Sequence, residues 1–116
     1  MERIPLSRYT KPFQYKDISA GNSGVVWSFN VPKRFVLFIE RMGNNWFPNT
    51  YYNLTMDGEI HKVEYTIANI ENPRVYSPPL VIKNYIIVEA YNNSSKDHTF
   101  AFLIDGFLVL RKYLRI

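Results

Sequence analysis

The stretch Tyr51-Tyr52-Asn53-Leu54-Thr55-Met56-Asp57-Gly58-Glu59-Ile60-His61-Lys62-Val63 decides the fold class. Tyr52, Leu54 and Met56 alternate with Tyr51, Asn53 and Thr55, the period of a strand with one face in a core. Asp57-Gly58 follows, and a second run rich in β-branched and aromatic residues extends from Glu59 to Ile67. Asp-Gly between two such runs specifies a two-residue hairpin, because a type I′ turn needs positive φ at both central positions.

Upstream, Val25, Trp27, Phe29 and Val31 alternate with Val26, Ser28 and Asn30 from Gly24 onward, and Pro32 ends that strand. Phe35, Leu37 and Ile39 interleave with Val36, Phe38 and Glu40, which predicts a central strand from about Arg34 to Met42, apolar on both faces. Downstream, Asn69 to Pro79 reads as a connection, Leu80 to Tyr91 as one long strand and Asn92 to Asp97 as a turn. Phe100, Phe102 and Ile104 lead into Asp105-Gly106 and Phe107 to Leu114 leads away, so the same logic predicts a second Asp-Gly hairpin. No segment repeats apolar residues at spacings of 3 and 4 over the length a helix needs. The expectation is an all-β chain: a single antiparallel β-sandwich, jelly-roll-like, of about seven strands over residues 21–116.

A chain of 116 residues has room for one core, and its 47% hydrophobic content is that of a packed globular protein. With no cysteine, a disulfide framework, a thiolate nucleophile and a Cys-based zinc site are all excluded, and two histidines leave little for metal chemistry. The formal charge of +4 is unevenly placed. Residues 1–16 and 111–116 together carry seven cations against Glu2, a net of +6, while residues 17–110 carry seven bases and nine acids, a net of −2. Residues 1–20, with Pro5 and Pro12 and no apolar period, read as an extended basic N-terminal arm. The opening lacks the apolar run of ~7–15 residues that a secretory signal needs. No stretch approaches the ~18 apolar residues of a membrane span, so a cytoplasm, or a particle assembled in one, is the expected setting.

Asp57 and Asp105 could be paired as an acid and a base, yet the Asp-Gly turn explains residue type and position together. His61 and His98 have no compact ligand spacing with Glu59, Glu64 or Asp97; His98 reads as a strand start and His61 as solvent-facing. There is no G-x-S-x-G and no Gly-rich phosphate loop. The expectation is therefore no enzyme, no cofactor and no metal. The sequons beginning at Asn53, Asn92 and Asn93 are read as accidents of an Asn-rich chain. Recognition falls instead to the loop Asn44 to Tyr52, where Trp46, Phe47 and Tyr51 could anchor a protein interface, stack on a sugar ring, or fold back to plug one end of the sandwich. The cations Arg3, Arg8, Lys11, Lys16, Arg111, Lys112 and Arg115 are the candidate electrostatic contacts. They could meet phosphates, but the slightly acidic body and the lack of an RNP-type aromatic motif argue for an acidic protein partner over nucleic acid.

The runs Val31 to Arg41 and Gly43 to Tyr51, with Met56-Asp57-Gly58, Ser77-Pro78-Pro79, Asp97 to Phe100 and Ile104-Asp105-Gly106, give the body a family likeness. Over about residues 24–107 the chain resembles small β-sandwich virion proteins of tailed bacteriophages. The resemblance implies a virion location, symmetric homo-oligomers that decorate the head shell or join head, tail or fibre parts, contacts with capsid or connector proteins, and no reaction or cofactor. A rigid sandwich with basic ends suits a repetitive acidic surface, where weak contacts multiply. The alternative, from a different class, is a carbohydrate-binding module that uses the Trp46 loop.

Overall fold

The structure, a computed structural model, describes residues 2–114. It contains nine strands: β1 (Ile4–Pro5), β2 (Phe13–Ile18), β3 (Ser23–Asn30), β4 (Phe35–Asn44), β5 (Thr50–Met56), β6 (Glu59–Val63), β7 (Arg74–Ile82), β8 (Tyr85–Asn92) and β9 (His98–Leu110). Short 3-10 turns lie at Leu6–Arg8 and Arg111–Tyr113. One sheet runs β2-β9-β4-β7, with β1 beside β2 on the same edge of β9, and the other runs β3-β8-β5-β6. Every pairing is antiparallel. Strands β2 to β9 thus form a jelly roll, which is one long two-stranded ribbon rolled up. Its nested pairs are β5 with β6, β4 with β7, β3 with β8 and β2 with β9.

The tip of the ribbon is the Asp57-Gly58 turn, where φ is 51° at Asp57 and 87° at Gly58, the double positive φ that Asp-Gly was expected to supply. Between the sheets, buried Trp27, Tyr52, Phe100 and Phe102 join Leu37, Ile39, Ile82, Ile86, Ile104 and Leu108 in one core. Tyr52 meets Phe100 and Phe102 edge-on, with centroids 5.8 and 5.1 Å apart.

Four expectations change. First, the strand count is nine. Second, residues 1–20 are not an arm leaving the body: β2 pairs with β9 from Phe13↔Leu103 to Ile18↔His98, and Leu6 is fully buried. The carbonyl of Pro12 also accepts the Trp27 indole N–H at 2.8 Å. The prolines hid this, because each breaks the local period while the partner strand lies some ninety positions away.

Third, Leu80 to Tyr91 is not one strand, and Asn69 to Pro79 is not all connection. The chain turns at Lys83-Asn84, so β7, which includes Pro78 and Pro79, lies in one sheet and β8 in the other. Proline is tolerated there because β7 is an edge strand, bonded only to β4. Fourth, Asp105-Gly106 makes no hairpin: β9 runs straight through it opposite β4. A Cβ on Gly106 would stand 1.9 Å from the Phe38 carbonyl oxygen, beside the register shift between Ile39 and Arg41. The glycine serves a close backbone approach at a bulge, the other use of glycine in a strand.

Candidate functional site: two ends of an elongated sandwich

The molecule measures 49 × 26 × 22 Å, and the strand registers sort its loops into two groups. At one end lie Pro32–Arg34, Asp57-Gly58, Lys83-Asn84 and Arg111–Tyr113. Backbone and side-chain bonds weld these four segments together. The Asp57 carboxylate accepts the backbone N–H groups of Lys83 (2.7 Å), Asn84 (2.7 Å) and Tyr85 (3.1 Å), so it shapes the β7–β8 turn as well as its own. The N–H of Arg111 donates to the Arg34 carbonyl at 2.8 Å, and its guanidinium donates to the carbonyls of Phe35 and Lys83.

This end therefore gathers Lys33, Arg34, Lys83, Arg111 and Lys112. Among the described residues, none of the five forms an ion pair. The nearby acids are engaged: Asp57 by the three backbone donors, and Glu59 facing His61 at 3.6 Å. A groove of about 350 Å³ between Arg34, Leu110, Arg111 and Lys112 completes the surface.

The predicted basic residues therefore divide. Arg111 and Lys112 belong to this end, while Arg115 lies outside the described residues. Arg3 sits elsewhere, its guanidinium 4.3 Å from the Phe107 ring centre; Arg8 closes a 3-10 turn, Lys11 follows it, and Lys16 pairs opposite Phe100 toward the far end. Lys33, Arg34 and Lys83 were missed because charge was summed along the sequence. The signal was the Lys33-Arg34 pair between two strands, which a jelly roll must turn back at the same end as the close of β9.

The opposite end holds Ser19–Asn22, Asn45–Asn49, residues 64–73 and Asn93–Asp97. Its asparagines organise the loops. Buried Asn44 accepts the Ile67 N–H at 2.8 Å and donates to the carbonyls of Asn45 and Tyr65. The Asn45 side-chain oxygen accepts the Tyr52 hydroxyl (2.7 Å) and the Ala101 N–H (2.9 Å), while its amide donates to Thr99. Fully buried Asn92 bonds Ile18, Lys96 and Ser94, so its sequon is closed to modification.

The three aromatic residues of the loop have separate fates. Phe47 folds back, stacking on His98 at 3.9 Å and meeting Phe100 edge-on at 5.7 Å, as the plug reading requires. Trp46 is half-buried with its indole N–H given to the Thr50 carbonyl at 3.0 Å. Tyr51 lies in β5 with one face on Tyr91, 4.7 Å away, and the Lys62 ammonium 4.4 Å from its centroid. Trp46 and Tyr51 wall an open groove of about 590 Å³ with Asn49, Lys62, Glu64 and Asn93.

His61 and His98 stand on different sheets, Asp57 is in the β5–β6 turn while Asp105 is in β9 of the other sheet, and no metal-holding group of His, Asp or Glu occurs among the described residues. His98 opens β9, where the sequence put a strand start. No helix among the described residues is long and apolar enough to cross a membrane. No protein-family model matches the sequence, and no curated protein matches it either.

Proposed function

We propose that the protein is a non-catalytic structural or assembly component of a tailed-phage virion, a head-decoration or a head-to-tail or fibre-anchoring protein, working as a homo-oligomer. One observation carries the reading: three separate segments bring five cations to one end of a rigid, elongated sandwich, none of them ion-paired among the described residues. Such an end docks on an acidic protein surface, and a repetitive surface multiplies the modest strength of each contact. The jelly roll adds support by analogy only, since viral capsid proteins and lectins share it and a fold hosts many functions.

The test is particle incorporation. Purified virions of a phage encoding the chain should contain it, and the triple variant Lys33→Glu, Lys83→Glu, Lys112→Glu should fold normally yet fail to sediment with them. Absence of the wild-type chain from purified particles sinks the proposal. Salt-sensitive retention of duplex DNA in a mobility-shift assay by the wild type, and not by the triple variant, would reassign the basic end to nucleic acid.

A carbohydrate-binding module is the second reading, and the groove beside Trp46 favours it. The indole N–H and the amides of Asn44, Asn45 and Asn92 are already committed, so in the groove a sugar would meet chiefly Asn49, Asn93 and the open flank of Trp46. Binding on a glycan array that is lost in Trp46→Ala would establish it.

A further inference from the structure

We infer that β6 is a homodimerisation edge, at which two copies of the chain pair antiparallel across a two-fold axis through His61 and join their β3-β8-β5-β6 sheets into one eight-stranded sheet. The inference takes from the proposed function only the expectation of self-association, and gives it a surface.

Each sheet edge other than β6 carries a device against pairing. Pro78 and Pro79 remove N–H donors from β7, and a register shift breaks its match to β4. A bulge between Val25 and Trp27 interrupts β3, which also lies under β2. The β1/β2 edge is split by the 3-10 turn at Leu6–Arg8. In contrast, β6 has no proline and no shift in its register with β5.

The hairpin geometry fixes which groups β6 offers. In a two-residue type I′ hairpin, the residues flanking the turn, Met56 and Glu59, exchange backbone hydrogen bonds. Alternation then turns the N–H and C=O of Ile60 and of Lys62 away from β5, toward solvent. Lysine on an edge ordinarily repels a second strand. Here Lys62 is folded over its own sheet, its ammonium 2.8 Å from Glu64 and 4.4 Å from the Tyr51 ring centre. Ile60 is 64% exposed, an apolar side chain on the open edge.

The occupant follows from the strand's complementarity to itself. Two-fold pairing centred on His61 sets Ile60 opposite Lys62 of the second copy, twice, and so satisfies all the outward groups of those residues with four backbone hydrogen bonds. It lays each lysine stem along an isoleucine, sets Glu59 opposite Val63 and diagonal to the other His61, and opposes no two residues of permanent like charge. Shifting the centre to Lys62 opposes two ammonium groups, and shifting it to Ile60 runs Lys62 against the Gly58 turn and halves the bonding. A five-residue ladder predicts a weak, concentration-dependent dimer.

The chain lacks cysteine, so single substitutions read the register directly. At the axis, facing Cβ atoms of a non-hydrogen-bonded pair lie ~4.5–5.5 Å apart, close to the reach of a disulfide. Under mild oxidation His61→Cys should give a covalent dimer, whereas Lys62→Cys, facing Ile60, should not. In sedimentation, Ile60→Lys should weaken the dimer about tenfold by opposing ammonium groups on both sides of the axis, and Ile60→Thr should retain it. A chain that stays monomeric at every concentration, or a dimer that His61→Cys fails to crosslink, overturns the inference. Particle incorporation is read separately, so the virion proposal and the β6 dimer can each fail alone.

Discussion

Gly106 and Asp57 show how differently the same dipeptide can be used. At Asp57-Gly58 the backbone needs positive φ, and the aspartate also receives three N–H groups from the neighbouring turn. Asp57→Ala should cost about 2 kcal/mol in denaturant unfolding, while Asp57→Asn, which keeps one acceptor and tolerates the conformation, should cost less than half of that. At Asp105-Gly106 the backbone is extended, and it is the missing Cβ that matters. Gly106→Ala should destabilise by about 3 kcal/mol, because the atom it meets is main chain and cannot rotate away. A sequence-local rule cannot separate the two sites: the first is decided by its own turn, the second by a strand some sixty-five residues away. Tyr52 is a third such position. Burial pushes its hydroxyl well above the ordinary tyrosine range. The unfolded chain loses that proton near pH ~10 and the folded chain holds it, so stability should fall as pH rises above ~10, by about 1.4 kcal/mol per pH unit from this group. Unfolding curves at stepped alkaline pH check this, and a flat profile would contradict the burial of the hydroxyl.

At the scale of elements, β3 and β5 were legible from alternation, β4 from a run apolar on both faces, and β6 from the Asp-Gly turn before it, although β6 ends at Val63 and not at Ile67. The strand β2 was not, since Phe13, Tyr15 and Asp17 face outward and only Ile18 is buried, leaving too little apolar alternation just after Pro12 to register. The break at Lys83-Asn84 was hidden for the opposite reason: β7 and β8 are both apolar enough to read as one run, and the turn between them is shaped by Asp57, which lies in another loop. These placements change what a truncation would mean. Removing residues 2–18 strips β9 of its outer partner, exposes Trp27 and discards Leu6, so the shortened chain should aggregate or unfold, observable as loss of the cooperative thermal transition. A soluble, cooperatively folding product would show that β2 is dispensable and return the segment to the status of an arm.

For the whole molecule, charge summed by sequence position and charge located in space tell different stories. The cations Arg3, Arg8, Lys11 and Lys16 spread along the flank of β9, while Arg111 and Lys112 join Lys33, Arg34 and Lys83 at one end. Composition could supply the total; only the return of each strand to the same end could supply the grouping. A point-charge surface of this kind should give association that weakens steeply between low and moderate salt, a dependence the triple glutamate variant should lack. The nested ribbon has a further effect, on the order of events during synthesis. Its pairs close outward from Asp57-Gly58, so β5 and β6 can zip as soon as they are made, whereas β2 must wait for His98 before it meets its neighbour and for Leu103 before its ladder is complete. For most of translation, then, the backbone of β2 has no strand of its own chain to pair with. Folding of so non-local a topology should accordingly be slow, as stopped-flow refolding would read.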